Sequence, residues 1–242
     1  MIIDMHCHLM PGVDDGSKSP EMTAKMLEIA ADDGIGGIVC TPHFEAGMKP
    51  ELLEKRKRSL ALTRGLAETI CPKMKIFYGN EIFYGDSTLK ALESGTAKPL
   101  NGTDYILVEF PVYSEFAYIE KAIRTLTYAG YRPVIAHIER YEGMKKMNQV
   151  QELVRCGAVM QVNASTVTGA MGWGVKRYVL KLMKYGLVDI LGTDAHGIQR
   201  RRPEMSEALS LIDKKIGPDY RKLITEINPR LILKGDSLSG KA

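Results

Sequence analysis

A chain of 242 residues, 45% hydrophobic and 26% charged, has the composition of an ordinary folded protein with a sizeable core, which excludes a disordered or fibrous chain. No apolar run approaches the roughly 20 residues that cross a bilayer, so no membrane insertion is expected. A formal net charge of +4 suits an anionic substrate but is too small to argue for nucleic acid.

The four cysteines, Cys7, Cys40, Cys71 and Cys156, form no CxxC pair and no disulfide framework. The opening MIIDMHCHLM lacks the basic and apolar regions of a signal peptide, so the cytoplasm is the expected compartment. No linker or low-complexity segment interrupts the sequence, and residues 1–242 are expected to form a single domain.

In chain order, short runs rich in Ile, Val and Tyr predict strands at 1–6, 37–43, 75–82, 105–110, 132–138, 159–164 and 188–196. Stretches with helical spacing separate them. The first opens with Ser19 as N-cap and Pro20 and Glu21 in the first turn, puts Met22, Met26, Ile29 and Ala30 on one face, and stops at Gly34. Similar patterns predict helices over 50–69, 118–129, 147–156, 175–185 and 203–216. Strands alternating with helices imply parallel βαβ units, closed as a barrel or open as a doubly wound sheet.

All five histidines fall at the ends of predicted strands. His6 and His8 close the first, His43 follows the second, His137 ends the fifth and His196 ends the seventh. Glu81, Glu109 and Asp194 occupy matching places. In a parallel barrel those ends share one rim, where active sites lie. The period of two along a strand sends His6 and His8 to one face, and likewise Asp194 and His196. Taken singly, each has a bland explanation: an incidental histidine, a paired buried acid, a helix cap. Their joint placement favours a metal site.

Imidazole and carboxylate without thiolate suit manganese, iron or zinc. Eight or nine candidate ligands exceed the roughly four of a structural zinc, so two or three ions are expected, an arrangement suited to phosphoester hydrolysis. Cys7 should point away from its histidine neighbours. No cysteine has an arginine six positions on, and no GxxxxGK[ST] loop occurs. The EKRKR run at 54–58 reads as a solvated helix face. Arg140, just past His137, and at least one of Arg200, Arg201 and Arg202, just past His196, are placed to clamp a phosphate.

The string DMHCHLMPGVDDG, followed in order by CTPH, GNE, VEF, AHIER and GTDAH, resembles the PHP (polymerase and histidinol phosphatase) superfamily, and within it the CpsB/YwqE-like protein-tyrosine phosphatases of bacterial capsule loci. The resemblance runs over essentially the whole chain. It implies a distorted (β/α)7 TIM-like barrel holding three divalent ions, typically manganese. His6, His8, Glu81 and Asp194 would hold the first, Glu81, Glu109 and His137 the second, and Asp15, His43 and His196 the third. Asp14 is the alternative to Asp15. Arg140 and Arg201 match arginines that the family places around the phosphate, with Arg202 beside them.

The implied reaction is direct attack of a metal-bridging hydroxide on phosphotyrosine, without a covalent enzyme intermediate. The implied substrate is the phosphotyrosine tail of a bacterial tyrosine autokinase controlling polysaccharide export. Tyr84, Tyr113, Phe116 and Tyr118 are candidates for an aromatic wall or for ordinary helix packing. The competing readings are a small-molecule phosphatase, such as a histidinol-phosphate phosphatase, and a non-catalytic metal-binding scaffold.

Overall fold

The computed structural model describes residues 1–238. Nine strand segments line up in chain order: β1 (Ile2–Cys7), β2 (Ile35–Cys40), β3 (His43–Phe44), β4 (Lys75–Tyr78), β5 (Glu81–Phe83), β6 (Tyr105–Glu109), β7 (Arg132–Ile135), β8 (Val159–Asn163) and β9 (Ile190–Gly192). Two of the seven expected strands are each broken in two. The run 37–43 gives β2 and β3, and 75–82 gives β4 and β5. The breaks fall at Pro42, which has no backbone N–H, and at Gly79, where an added Cβ would stand 2.8 Å from the Leu100 side chain.

All pairing is parallel, β1-β2-β4 on one side and β3-β5-β6-β7-β8-β9 on the other. The end returns to the beginning. Asp194 N donates to His6 O at 2.7 Å and His8 N to Ala195 O at 2.9 Å, so seven staves curl into a barrel. This is the distorted TIM-like architecture the sequence implied.

Alternate residues face in. Ile3, Met5, Val39, Leu107, Val134, Ala136 and Ile190 form one apolar cluster inside the barrel. The intervening residues, such as Ile38, Ile106, Val108, Ile135 and Val162, join the larger cluster beneath the helices. A register shift between Asp4 and Cys7 lets His6 turn inward after Met5, while Cys7 packs in the outer cluster as expected.

The helices are α1 (Pro20–Asp32), α2 (Pro50–Ile70), α3 (Thr88–Glu93), α4 (Phe116–Tyr128), α5 (Met147–Arg155), α6 (Ala164–Thr168), α7 (Trp173–Lys184), α8 (Ser206–Lys215), α9 (Pro218–Lys222) and α10 (Asn228–Ile232). Helix α1 starts as its residues dictate, with the Ser19 hydroxyl accepting from Met22 N at 3.3 Å and Pro20 in the first turn. The short helices α3, α6, α9 and α10 carry too few periodic residues to be read from sequence. Among the described residues no helix is long and apolar enough to cross a membrane.

Candidate metal centre

The rim brings the histidines and acids together. His6 Nε2 stands 3.2 Å from His8 Nε2 and 3.2 Å from Glu81 Oε1. Glu81 Oε1 also lies 2.8 Å from His137 Nε2, and its Oε2 is 2.8 Å from His43 Nδ1. Glu109 is 3.5 Å from His137 and 3.8 Å from His43. Asp194 lies 3.6 Å and 3.5 Å from the Nε2 atoms of His6 and His8.

Of the adjacent pair, Asp15 reaches the cluster, 3.3 Å from His43 Nε2 and 3.2 Å from His196 Nε2. Asp14 sits behind it. Its carboxylate meets His8 Nδ1 at 2.9 Å and accepts from His43 N at 3.2 Å and Gly16 N at 2.9 Å. Three overlapping ligand groups result, His6–His8–Glu81, His43–Glu81–Glu109 and His8–Asp15–His43–His196.

The outer partners of the rings decide their tautomers. Gln161 Oε1 accepts from His137 N at 2.7 Å and faces His6 Nδ1 at 3.1 Å, so His6 carries its proton on Nδ1. His8 Nδ1 donates to Asp14, and His196 Nδ1 donates to the Asp194 carbonyl at 2.9 Å. In the neutral rings, three Nε2 lone pairs therefore face the cluster. Glu81 Oε2, Asp194 Oδ1 and His196 Nε2 are buried and make no well-aligned hydrogen bond, although His43 Nδ1, Arg201 Nη2 and Asp15 Oδ1 lie 2.8 Å, 2.5 Å and 3.2 Å from them. Buried polar atoms left in this way are costly unless a cation meets them, and imidazoles with carboxylates suit manganese, iron or zinc. The donor set fits divalent metal ions.

The buried charges of the rim act on one another. Burial opposes charge on Glu81, but His6, His137 and His43 together hold its carboxyl well below the usual range. Burial and the Glu81 charge push Glu109 up to about 7. Burial lowers His8, yet its hydrogen bonds to Asp14 and Glu81 outweigh that and push it up to about 10. Burial and the neighbouring His8 bring His196 down to about 4, because two rings 3.8 Å apart do not both hold a proton.

The backbone is bent to serve the rim. His137, Asp194 and Arg201 adopt left-handed conformations at φ 33°, 53° and 50°. Such geometry costs about 1–3 kcal/mol per residue and gathers at functional sites. Gly192 has no Cβ where one would stand 2.6 Å from His6 Cβ, and Gly16 lacks one 2.4 Å from His8 Cβ.

Both expected phosphate-clamping arginines sit at the edge of the cluster. Arg140 Nη2 and Arg201 Nη2 each lie 2.5 Å from Asp194, on its two different oxygens. Arg202 instead pairs with Glu204 at 2.8 Å, and with Arg201 it lines a cleft of about 410 Å³ beside the site.

Several residues outside the strand-end histidines and acids support this rim. Gln161 and Asn163 hold His6, His137 and Asp194, and Asn163 Nδ2 donates to Asp194 Oδ2 at 2.9 Å. Their signal was two amides at a spacing of two within the apolar run VMQVN. Tyr141 OH lies 3.3 Å from His137 Nδ1. Arg56, read as part of a solvated helix face, is only 2% exposed and donates to the His43 carbonyl, while Glu54 and Lys57 pair in solvent. Tyr84 and Phe116 pack against the outer core.

The family assigned to capsular polysaccharide synthesis, CpsB/CapC, matches residues 2–234. The chain belongs to the CpsB/CapC family. It is 32% identical to the tyrosine-protein phosphatase CpsB of Streptococcus pneumoniae, over 96% of this chain and 98% of that protein. It is also 32% identical to the tyrosine-protein phosphatase YwqE of Bacillus subtilis, over 98% and 93% of the two chains. A solved structure from work on that YwqE and that CpsB, described as unique metal-dependent tyrosine phosphatases, superposes with a TM-score of 0.86 at 30% identity, covering 98% of this chain and 96% of the other. The rim described above is thus carried on a CpsB/CapC scaffold that is matched over nearly the whole of this chain.

Proposed function

We propose that this chain is a metal-dependent protein-tyrosine phosphatase, a single PHP-type domain that acts in the cytoplasm on the phosphotyrosine tail of a bacterial tyrosine autokinase governing capsular or exopolysaccharide synthesis. The observation that carries the reading is the convergence of the Nε2 atoms of His6, His8 and His196 on Glu81, Asp194 and Asp15, with each ring's Nδ1 fixed from behind.

Three divalent ions are assigned, manganese by preference. His6, His8, Glu81 and Asp194 would hold one, Glu81, Glu109 and His137 a second, and Asp15, His43 and His196 a third. When bound they supply Lewis acidity toward the phosphoryl oxygens and activation of water.

The chain's own residues do the rest. Arg140 and Arg201, poised on Asp194, turn their free N–H groups to the equatorial phosphate oxygens as charge builds there. Asp15, whose side chain is 65% exposed, and the half-buried His43 line the entrance by which the ester arrives. Cys7 takes no part as a nucleophile. It is fully buried in the outer core, and burial raises its thiol well above the usual range.

The deciding experiment compares kcat/KM for a phosphotyrosyl peptide and for histidinol phosphate on the manganese-loaded protein. A strong preference for the peptide is expected. A preference for histidinol phosphate would overturn the substrate assignment, and no turnover of any phosphoester would leave the chain a binding scaffold.

A further inference from the structure

The strand register places one aromatic residue opposite a carboxylate of the centre. In β5, Glu81 pairs with Leu107 and Phe83 with Glu109 of β6. Leu107 belongs to the apolar cluster inside the barrel, so Glu81 and Phe83 both share the inward face. Phe83 stands one full pleat beyond Glu81, about 6.6 Å nearer the open end. Tyr84 takes the other face, where its ring packs 5.5 Å from Phe110 and 6.0 Å from Tyr118.

Exposure sets Phe83 apart. Glu81 and Ile82 are fully buried, yet Phe83, the next residue along the strand and the register partner of Glu109, is 40% exposed. A lone exposed apolar side chain is ordinary on a protein surface. This one pairs in register with Glu109, a carboxylate of the centre, at the level where the organic part of a phosphoester must lie once its phosphate is seated. In an aryl phosphate the ester oxygen is bonded directly to the ring, which keeps that ring close to the phosphorus. An alkyl ester offers nothing flat at that level.

We propose that Phe83 is a specificity-determining residue, the wall against which the aryl ring of a phosphotyrosyl substrate packs by offset or edge-to-face contact. The inference rests on the phosphotyrosine reading above and deepens it. Phe83 favours aryl over alkyl phosphoesters without touching the reacting atoms. Stacking of this kind changes affinity by about two- to twelvefold.

The test uses two non-hydrolysable probes on the manganese-loaded protein, phenylphosphonate and methylphosphonate, with calorimetric dissociation constants. Wild type is expected to bind phenylphosphonate at least threefold more tightly. In Phe83→Ala and Phe83→Leu that ratio falls to near one, while methylphosphonate binding stays within twofold. Phe83→Tyr keeps the preference. Tyr128→Ala, which removes an 87% exposed ring from the end of α4, is a control expected to leave both constants unchanged. An unaltered ratio in Phe83→Ala and Phe83→Leu overturns the proposal, as does a parallel loss of methylphosphonate binding. Failure of the phosphatase reading is visible separately, as wild-type protein that turns over no phosphotyrosyl peptide whatever the ratio.

Discussion

Gln161 and His6, 155 residues apart, are joined at the floor of the centre, where the amide oxygen of Gln161 lies 3.1 Å from His6 Nδ1 while also accepting from His137 N. That single oxygen fixes one ligand's tautomer and the backbone of another. Gln161→Leu keeps a side chain of similar size and removes the acceptor. Losses of this kind cost about 10–100-fold in metal affinity. Competition against a chelating dye should show that drop, with turnover recovering at high manganese. Unchanged affinity would mean that Gln161 serves packing alone.

Asp14 and Asp15 are neighbours with different work, and substitution should separate them. Asp15→Asn removes an oxygen that lies among His43 and His196, so turnover should be lost and excess metal should not restore it. Asp14→Asn weakens the hold on His8 and on the His43 amide, so affinity should fall about 10–100-fold with partial rescue by excess metal. Activity against manganese concentration, measured for both variants, checks the contrast.

Arg140 and Arg201 share Asp194, and their roles should be coupled. Each alanine variant is expected to lose about 100-fold in turnover, the order seen when one donor to a developing oxyanion is removed. The double variant should lose less than the product of the two, because each arginine also positions the carboxylate that the other holds. A double-mutant cycle on phenyl phosphate gives the answer.

Gly192 is expected to tolerate no side chain. A Cβ there would press on His6 Cβ and backbone, in a barrel wall with no room to relax. Gly192→Ala should lower the midpoint of thermal unfolding and the bound metal together, and differential scanning calorimetry with metal analysis reports both.

Stripping the metal should cost stability throughout the barrel, since Asp15, Glu81, Glu109 and Asp194 crowd one rim. An ion present at 100 times its dissociation constant contributes about 2.7 kcal/mol. For a chain of this size that is about 5 °C or more in unfolding midpoint per site. Calorimetry before and after chelation measures it, with restoration by manganese as the control.

Much of this site was legible in the sequence because the topology is simple. Once the strands run parallel, every strand ends on the same rim, and five histidines at strand ends must meet there. Asp15 needed the resemblance, since two adjacent acids look alike until the loop turns one toward His43 and the other behind it. The staves broken at Pro42 and Gly79 look continuous in sequence because both halves have strand composition. Tyr84 stands out as an aromatic, yet strand parity turns it to the outer face and gives Phe83 the face of Glu81. Arg56 looked like solvent-facing charge within EKRKR, and only packing reveals that it reaches the carbonyl of His43. Gln161 and Asn163 carry no chemistry of their own, and their value lies in what they hold.

The most direct test of the whole account is anomalous diffraction at the manganese edge from crystals grown with manganese and phosphate. Three peaks are predicted among His6, His8, Asp15, His43, Glu81, Glu109, His137, Asp194 and His196, with Glu81 shared between two of them and the phosphate held by Arg140 and Arg201. A rim without any such peak, in protein that still hydrolyses phosphotyrosine, would contradict it.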